Sequence, residues 1–91
     1  MLKVKTTRQF EKDFKLMIKQ GKDMEKLKAI MKKLADEEPL DLRYKDHKLI
    51  GNLEGHRDCH IEPNWLLLYR INQGEGTIVF VRTGSHSDIF G

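Results

Sequence analysis

The 91-residue chain has the length of one domain, and its 38% hydrophobic and 34% charged residues exclude membrane and disordered classes. No apolar run approaches the ~20 residues of a membrane-spanning helix, and residues 1–15 lack a signal-peptide core. Its single cysteine, Cys59, excludes an internal disulfide and favours a reducing compartment, so we expect a cytoplasmic protein with no membrane partner.

The net charge of +3 is unevenly distributed along the chain. Residues 1–36 carry eleven Lys and Arg against five Asp and Glu, whereas residues 37–91 carry six against nine. All four histidines lie in the second part. The basic part is either a solvated helix surface or a surface that attracts a polyanion, such as nucleic acid or an acidic protein segment.

The first part of the chain predicts a strand and two helices. Met1–Lys5 alternates apolar and charged residues, which is typical of a strand. Thr6-Thr-Arg-Gln9 matches a capping box at a helix start. Helically spaced apolar residues follow it, namely Phe10, Phe14, Met17 and Ile18. Asp23 is placed to cap a second helix that ends before Pro39, so the pair is predicted to form an antiparallel helical hairpin.

The second part predicts a loop and four strands. Leu40–Lys48 is polar without a period and is interpreted as a loop. The predicted strands are Leu49–Leu53, Arg57–Glu62, Trp65–Ile71 and Thr77–Thr83. The order is therefore β-α-α-β-β-β-β. It predicts an α+β fold in which the helical hairpin packs on one face of a mainly antiparallel twisted sheet and the other face stays open.

Three of the four histidines are predicted to converge. Neighbouring strands of a meander run in opposite directions. If Met1–Lys5 is counted as the first strand, the start of the second strand therefore shares one end of the sheet with the end of the third. The start of the fourth strand and the end of the fifth lie there too. The residues at this end are His47, His60, Asn64, Trp65, Arg82 and His86. The same parity places His56 at the opposite end.

Such a cluster has three interpretations. Each histidine is an unrelated surface or hydrogen-bonded residue, or the three bind a metal, or they perform acid–base chemistry. Zinc is disfavoured because no two of them have a short ligand spacing and no cysteine pair exists, so we predict no metal and no cofactor. Acid–base chemistry is favoured because histidine titrates near pH 7 and serves as either partner.

RNA is the substrate that this chemistry suits, because its 2′-hydroxyl is a built-in nucleophile that DNA lacks. Either His47 or His60 would be the base and His86 the acid. Arg82 and Lys45 would stabilise the charge that develops on the phosphate. The aromatic residues predicted to stack on bases are Trp65, Tyr44 and Phe90, although Trp65 is equally consistent with the core.

Several segments together resemble a known family. They are Tyr44-Lys-Asp-His47, Leu49-x-Gly51, Arg57-Asp-x-His60-x-Glu-Pro63, Leu67-Leu-Tyr69 and Arg82-Thr-Gly-Ser-His86 with Phe90. This combination resembles the YafQ-like branch of the RelE/ParE toxin superfamily. Because the resemblance covers nearly the whole chain, residues 1–91 are expected to form a single RelE-like toxin domain.

The resemblance implies the toxin of a bacterial type II toxin–antitoxin pair. Such a toxin is an endoribonuclease that enters the ribosomal A site, contacts 16S rRNA and cuts mRNA without a metal, leaving a 2′,3′-cyclic phosphate. A cognate antitoxin inhibits it, and promoter DNA is bound only through the toxin–antitoxin complex. The resemblance also implies cleavage roles for His47, His60 and His86 and a substrate-positioning role for Phe90. The predicted substrate-binding set is Lys45, Asp58, Asn64, Trp65, Arg82 and Phe90.

One position departs from the family pattern, because Asn64 stands where this branch commonly has Asp. Asn cannot accept a proton or carry charge, although it can still orient a base or a phosphate by hydrogen bonds. Two alternatives therefore remain beside the endoribonuclease. One is a non-catalytic ParE-type inhibitor of DNA gyrase. The other is a toxin weakened at Asn64 that acts mainly as an antitoxin-binding protein.

Overall fold

A computed structural model describes all 91 residues. The elements are β1 (Lys3–Thr6), α1 (Arg8–Lys19), α2 (Met24–Ala35), β2 (His47–Lys48), β3 (Arg57–Glu62), β4 (Trp65–Asn72), β5 (Thr77–Gly84) and α3 (His86–Phe90). The five strands form one sheet in the order β1-β5-β4-β3-β2, in which only the β1–β5 pair is parallel. The predicted α+β fold with a mainly antiparallel sheet is confirmed. No helix is both long and apolar enough to span a membrane.

Helices α1 and α2 belong to a core that is shared with one face of the sheet. The largest side chains of this core include Phe10 and Met17 of α1, Leu27 and Ile30 of α2, and Trp65 and Phe80 of the sheet. Fully burying such a side chain contributes about 1.5–3 kcal/mol. Along β3, Cys59 and Ile61 join the core. Because side chains alternate along a strand, Asp58 and His60 lie on the opposite face.

The start of α1 differs from the prediction by one residue. Thr7, and not Thr6, is the N-cap, because its Oγ1 accepts a hydrogen bond from the backbone N–H of Phe10 at 2.9 Å. Thr6 belongs to β1, where it pairs with Phe80 of β5. The predicted capping box at residues 6–9 is therefore wrong, since its first residue is used by the sheet.

The inner face of α1 also differs from the apolar stripe that its spacing predicts. Ile18 is 53% exposed, whereas Asp13 is buried at 5%. Asp13 occupies the inward position because four hydrogen-bond donors meet it there, three of them from β5. A period count based on hydrophobicity alone excludes such a residue from the core.

The second strand lies earlier in the chain than predicted. β2 is His47–Lys48 and pairs with Asp58 and Arg57, whereas residues 51–53 form a 3-10 turn. Gly51 has a φ of +71°, a conformation that a strand does not use and that glycine adopts without strain. The shift moves His47 from the loop into the sheet, directly opposite β3.

The chain ends in a short helix that the prediction omitted. Ser85 is the N-cap of α3: its Oγ accepts from the Asp88 backbone N–H, and the Asp88 carboxylate accepts from the Ser85 backbone N–H, both at 3.1 Å. This reciprocal capping box turns the chain at the end of β5. It fixes where His86 and Phe90 are displayed.

Candidate active site

The sheet brings His60 and His86 together. His60 on β3 pairs with Leu66 of β4, and Leu66 pairs on its other side with Gly84 at the end of β5. His86 follows two residues later, at the start of α3. The two imidazole rings meet edge to face, with centroids 5.4 Å apart. This distance places two titratable rings within reach of one phosphodiester group.

Asn64 orients the ring of His86. It lies in the turn between β3 and β4, and its Oδ1 accepts the backbone N–H of His86 at 3.2 Å. The same oxygen lies 3.2 Å from Nδ1 of the His86 ring. Because an amide oxygen only accepts, Nδ1 carries the proton in this contact. Nε2 is then the ring nitrogen that this contact leaves free.

His47 is held in a similar way from the other side of β3. Its Nδ1 lies 2.6 Å from the backbone carbonyl of Lys45, which fixes a proton on that nitrogen. Lys45 has a left-handed backbone, with φ +52°, that ends the preceding 3-10 turn. The same Nδ1 lies 3.2 Å from Oδ1 of Asp58, a buried oxygen that accepts no hydrogen bond.

Burial and mutual charge set the protonation of these groups. Burial raises the pKa of the Asp58 carboxyl, while His47, His60 and His86 act in the opposite direction. Burial lowers the pKa of the His60 imidazole; Asp58 opposes this, and His86, Lys45 and His47 reinforce it. His60 is therefore neutral near pH 7 and available to accept a proton.

Phe90 and Lys45, which belong to the predicted substrate-binding set, lie at the edges of the histidine cluster. The Phe90 ring is 6.4 Å from the His86 ring and 46% exposed, so one face is open to a substrate base. Lys45 is exposed and lines a cleft together with His60. Both have room to contact a ligand held between the histidines.

Arg82 is committed to a partner. Its Nε donates to Oδ2 of Asp13 at 2.8 Å, and its Nη2 donates to Oδ1 at 3.2 Å. This bidentate hydrogen bonding raises the pKa of Arg82. The predicted role in stabilising charge on a phosphate would have to share the guanidinium with this contact.

Trp65 corrects one prediction. Its side chain is 0% exposed, and its Nε1 donates to Oγ1 of Thr83 at 2.9 Å. The ring is therefore part of the core and presents no face for stacking on a base. The apolar strand that contains Trp65 allowed both interpretations, and burial of the inner face of β4 decides between them.

His56 is separate from the cluster. It precedes β3, and its carbonyl accepts the backbone N–H of Leu49 at 3.0 Å. Four residues of extended chain separate it from His60, which corresponds to about 13 Å. The prediction from strand parity agrees with this placement.

Comparison with known proteins identifies the family. Residues 2–91 match the family described as the bacterial toxin of type II toxin–antitoxin system, YafQ. The chain belongs to the YafQ toxin family. The mRNA interferase toxin YafQ of Escherichia coli K12 is 45% identical over 84 residues, which cover 91% of this chain and 89% of the relative. A putative toxin YafQ of Haemophilus influenzae is 32% identical, covering 94% and 89%.

Solved structures of bacterial toxins share the fold. YafQ from E. coli BL21(DE3) superposes with a TM-score of 0.93 at 40% identity, covering 100% of both chains. A metal-bound toxin from Helicobacter pylori gives 0.94 at 44% identity, covering 99% of this chain and 100% of that one. The E. coli DinJ–YafQ complex gives 0.91 at 41%, covering 100% of both. The predicted family, and with it the predicted class of endoribonuclease toxin, are confirmed.

Asp46, Arg57 and Tyr69 form a polar network beside the candidate site that the sequence did not reveal. Oδ1 of Asp46 accepts from the Tyr69 hydroxyl at 2.5 Å and from Nε of Arg57 at 3.3 Å. Asp46 stands between Lys45 and His47, so the network ties the segment that carries both to the sheet. A tyrosine inside the apolar β4 strand was the only signal for it.

No group of three or more His, Cys, Asp or Glu side chains is arranged to hold a metal ion. The side chains of the cluster instead interact with one another in pairs: His60 with His86, and His47 with Asp58.

Proposed function

We propose that this chain is a ribosome-dependent mRNA endoribonuclease that works without a metal. The observation that carries the proposal is the pair of imidazoles of His60 and His86, 5.4 Å apart beside the exposed ring of Phe90. The E. coli relative at 45% identity is named an mRNA interferase toxin, which gives the substrate class. We place catalysis in residues 1–91 acting as one RelE-like domain.

The proposed reaction starts at the 2′-hydroxyl of the substrate. Neutral His60 removes its proton, the 2′-oxygen attacks the adjacent phosphorus, and the bond to the 5′-oxygen breaks. His86, protonated and held at Nδ1 by Asn64, donates its Nε2 proton to the departing oxygen. The products are a 2′,3′-cyclic phosphate and a 5′-hydroxyl. Each proton has a donor and an acceptor in the cluster, so the reaction needs no metal.

The remaining site residues support these two transfers. His47 and the exposed Lys45 supply positive charge to the phosphate as the bond to the 2′-oxygen forms. Asp58 lies 3.2 Å from Nδ1 of His47 and stabilises the protonated ring. Phe90 stacks on the base beside the scissile bond. Arg82 orients the end of β5 through its ion pair with Asp13.

A cognate antitoxin, the ribosome and promoter DNA complete the proposed setting. A solved complex joins the E. coli relative YafQ to DinJ. We propose an equivalent antitoxin for this chain, and promoter DNA binding only through their complex. The basic surface of α1 would contact 16S rRNA in the A site of cytoplasmic ribosomes.

The two alternatives find less support. A gyrase inhibitor has no use for two converging imidazoles, one of them kept neutral by burial. A toxin disabled at Asn64 would be expected to lose the contact at that position, yet Asn64 still binds both the backbone and the ring of His86. Asn64 therefore keeps a contact that orients the ring of His86.

Translation in a purified system tests the proposal. The 5′ ends of the mRNA are mapped after addition of the wild-type protein, His86→Ala or the control His56→Ala, with and without ribosomes. We expect cuts within codons only with ribosomes, abolished by His86→Ala and retained by His56→Ala. Equal cleavage by His86→Ala would disprove the assigned role. Intact mRNA with inhibited gyrase would favour the ParE-type function.

A further inference from the structure

A basic cleft adjoins the histidine cluster. It lies between α2 and the segment 41–45, has a volume of about 740 Å³, and includes His60 and Lys45 in its wall. We call it the α2 cleft. Its volume lies within the range of ~300–1,000 Å³ that is usual for ligand sites. The proposed cleavage reaction uses only its inner edge.

The α2 cleft carries uncompensated positive charge. Its wall contains four cationic side chains, Lys26, Lys33, Arg43 and Lys45, and two acidic ones, Asp41 and Glu62. Only Lys26 is neutralised, by Glu62 at 3.1 Å. Asp41 uses its carboxylate to accept the backbone N–H of Arg43 at 2.9 Å. Lys33, Lys45 and the Arg43 guanidinium therefore face the cleft without an acidic partner.

Part of the lining of the α2 cleft is apolar and suits a flat apolar group. Ala29, Ile30, Ile61 and Pro63 form its hydrophobic part. At one wall the Arg43 guanidinium stacks on the Tyr44 ring, 4.8 Å from its centroid, and donates to its hydroxyl at 2.9 Å. This contact holds the guanidinium plane in place. A nucleobase can stack on such a plane while its phosphates meet the lysines.

The α2 cleft is continuous with the proposed site of cleavage. His60 belongs to both, and the Lys45 carbonyl holds the His47 ring while its side chain enters the cleft. A strand whose scissile phosphate lies between His60 and His86 therefore passes into the cleft on the His60 side. The combination of cations, apolar lining and the Arg43–Tyr44 stack suits a single-stranded nucleic acid better than a purely acidic peptide segment, which needs no stacking surface.

We propose that the α2 cleft binds the stretch of single-stranded RNA that adjoins the scissile phosphate. Lys33 and Lys45 contact its phosphates, and Arg43 stacks on a base. This inference rests on the proposed function, because it takes the RNA that is cut at the histidines as the ligand. It adds a subsite that determines how tightly the substrate is held.

The test measures equilibrium binding and not cleavage. The probe is fluorescein-labelled oligoadenylate of about twelve nucleotides, within the range of common single-strand sites, with every 2′-hydroxyl methylated so that it cannot be cut. Fluorescence anisotropy gives its affinity at several salt concentrations. Lys33→Ala should reduce the slope of log affinity against log salt by about 0.7, the value for one phosphate contact. Lys28→Ala, an equal charge change on the exposed side of α2, should leave it unchanged.

Two further variants separate recognition from folding. Arg43→Ala should lower the affinity about tenfold or more, as for loss of one stacked base. Glu62→Gln should raise the affinity and steepen the salt slope, because it frees Lys26 to meet a phosphate. A purely structural role for this ion pair cannot produce tighter RNA binding.

The outcomes are distinguishable from failure of the proposed function. Equal salt slopes for wild type, Lys33→Ala and Lys28→Ala would overturn the cleft assignment, even if cleavage in translation and its loss in His86→Ala stand. Weaker binding of the cognate antitoxin by Lys33→Ala, with unchanged RNA binding, would assign the cleft to an acidic protein segment instead. Absence of ribosome-dependent cleavage by the wild type would overturn the function itself.

Discussion

Asp13 and Asp58 are buried to a similar extent, at 5% and 3% exposure, but they differ in their hydrogen bonds. Asp13 accepts hydrogen bonds from Gln9, from Arg82 and from the backbone N–H of Thr83. Asp58 has one oxygen, Oδ1, that accepts none. That oxygen faces His47 at 3.2 Å.

The difference in hydrogen bonding distinguishes a carboxylate that stabilises the fold from one that is suited to catalysis. A buried carboxylate with all its acceptors used is a stable joint, here between α1 and the end of β5. A buried carboxylate without them has a raised pKa and responds to every charge that changes nearby. Such groups concentrate at functional sites, which agrees with the candidate site proposed around the neighbouring histidines and not around Asp13.

The largest expected effect in the Asp58 region is that of His60→Ala on catalysis. We expect the single-turnover cleavage rate on ribosomes to fall by about 10²–10⁴-fold, the usual contribution of a general base. The free energy of unfolding should change by less than about 1 kcal/mol, because the ring makes no buried hydrogen bond. Measuring rate and urea denaturation on the same preparation checks both. A large loss of stability with little loss of rate would show that His60 stabilises the fold and is not the general base.

Asp13→Ala should show the reverse behaviour. It leaves the Arg82 guanidinium and the Thr83 N–H without their acceptor, at a cost of about 3–5 kcal/mol. That is a large share of the ~5–15 kcal/mol that stabilises a typical domain. Asp36→Ala is the matched control, because Asp36 pairs with Lys32 on the surface, where solvent screening makes such pairs contribute little.

Urea denaturation of both variants provides the comparison. If Asp13→Ala does not yield folded protein, Asp13→Asn, which keeps one acceptor oxygen, should give an intermediate loss. Equal stabilities of Asp13→Ala and Asp36→Ala would show that the buried joint contributes no more than a surface ion pair.

The same contrast explains what the sequence could predict. Helices, strands and the convergence of histidines follow from periodicity and strand parity, which are local or topological. The burial of Asp13 does not, because its donors lie about seventy residues away at Arg82 and Thr83. A long-range hydrogen bond outweighed the apolar stripe that Ile18 would have completed.

Other differences have local causes that were present but ambiguous. From the sequence alone, the Trp65 ring fits a buried strand as well as a stacking surface. It lies in the core because Thr83 accepts a hydrogen bond from its indole N–H. Helix α3 is signalled by Ser85 and Asp88, a capping box too short to be accompanied by an apolar period. Strand β2 has only two residues, which no alternation can identify.

Asp58→Asn gives a smaller, pH-dependent effect. Because burial raises the pKa of Asp58 in the folded state, the folded protein binds that proton more readily than the unfolded chain does. The contribution of Asp58 to stability is thus complete at acidic pH and is lost as pH rises through the folded-state pKa. Asp58→Asn should therefore melt higher than wild type near pH 7–8, with the difference vanishing towards pH 4.

Melting temperature as a function of pH checks this, with the cleavage rate followed in parallel. The rate should fall, because the amide no longer stabilises a protonated His47. A variant that melts lower than wild type at neutral pH would mean that the contact with His47 outweighs the cost of burial.

The smallest expected effects concern Asn64, which holds His86 through an oxygen that carries no charge. Asn64→Ala removes that acceptor and should slow cleavage by up to about tenfold, as for one hydrogen bond. Asn64→Asp keeps the acceptor and adds a negative charge, which stabilises the protonated ring. The alkaline side of the rate–pH profile should then move to higher pH, while the acidic side, set by neutral His60, stays in place. If the acidic side moves instead, His86 is the base and the roles of the two imidazoles must be exchanged. If neither side moves, His86 takes no part in the proton transfers.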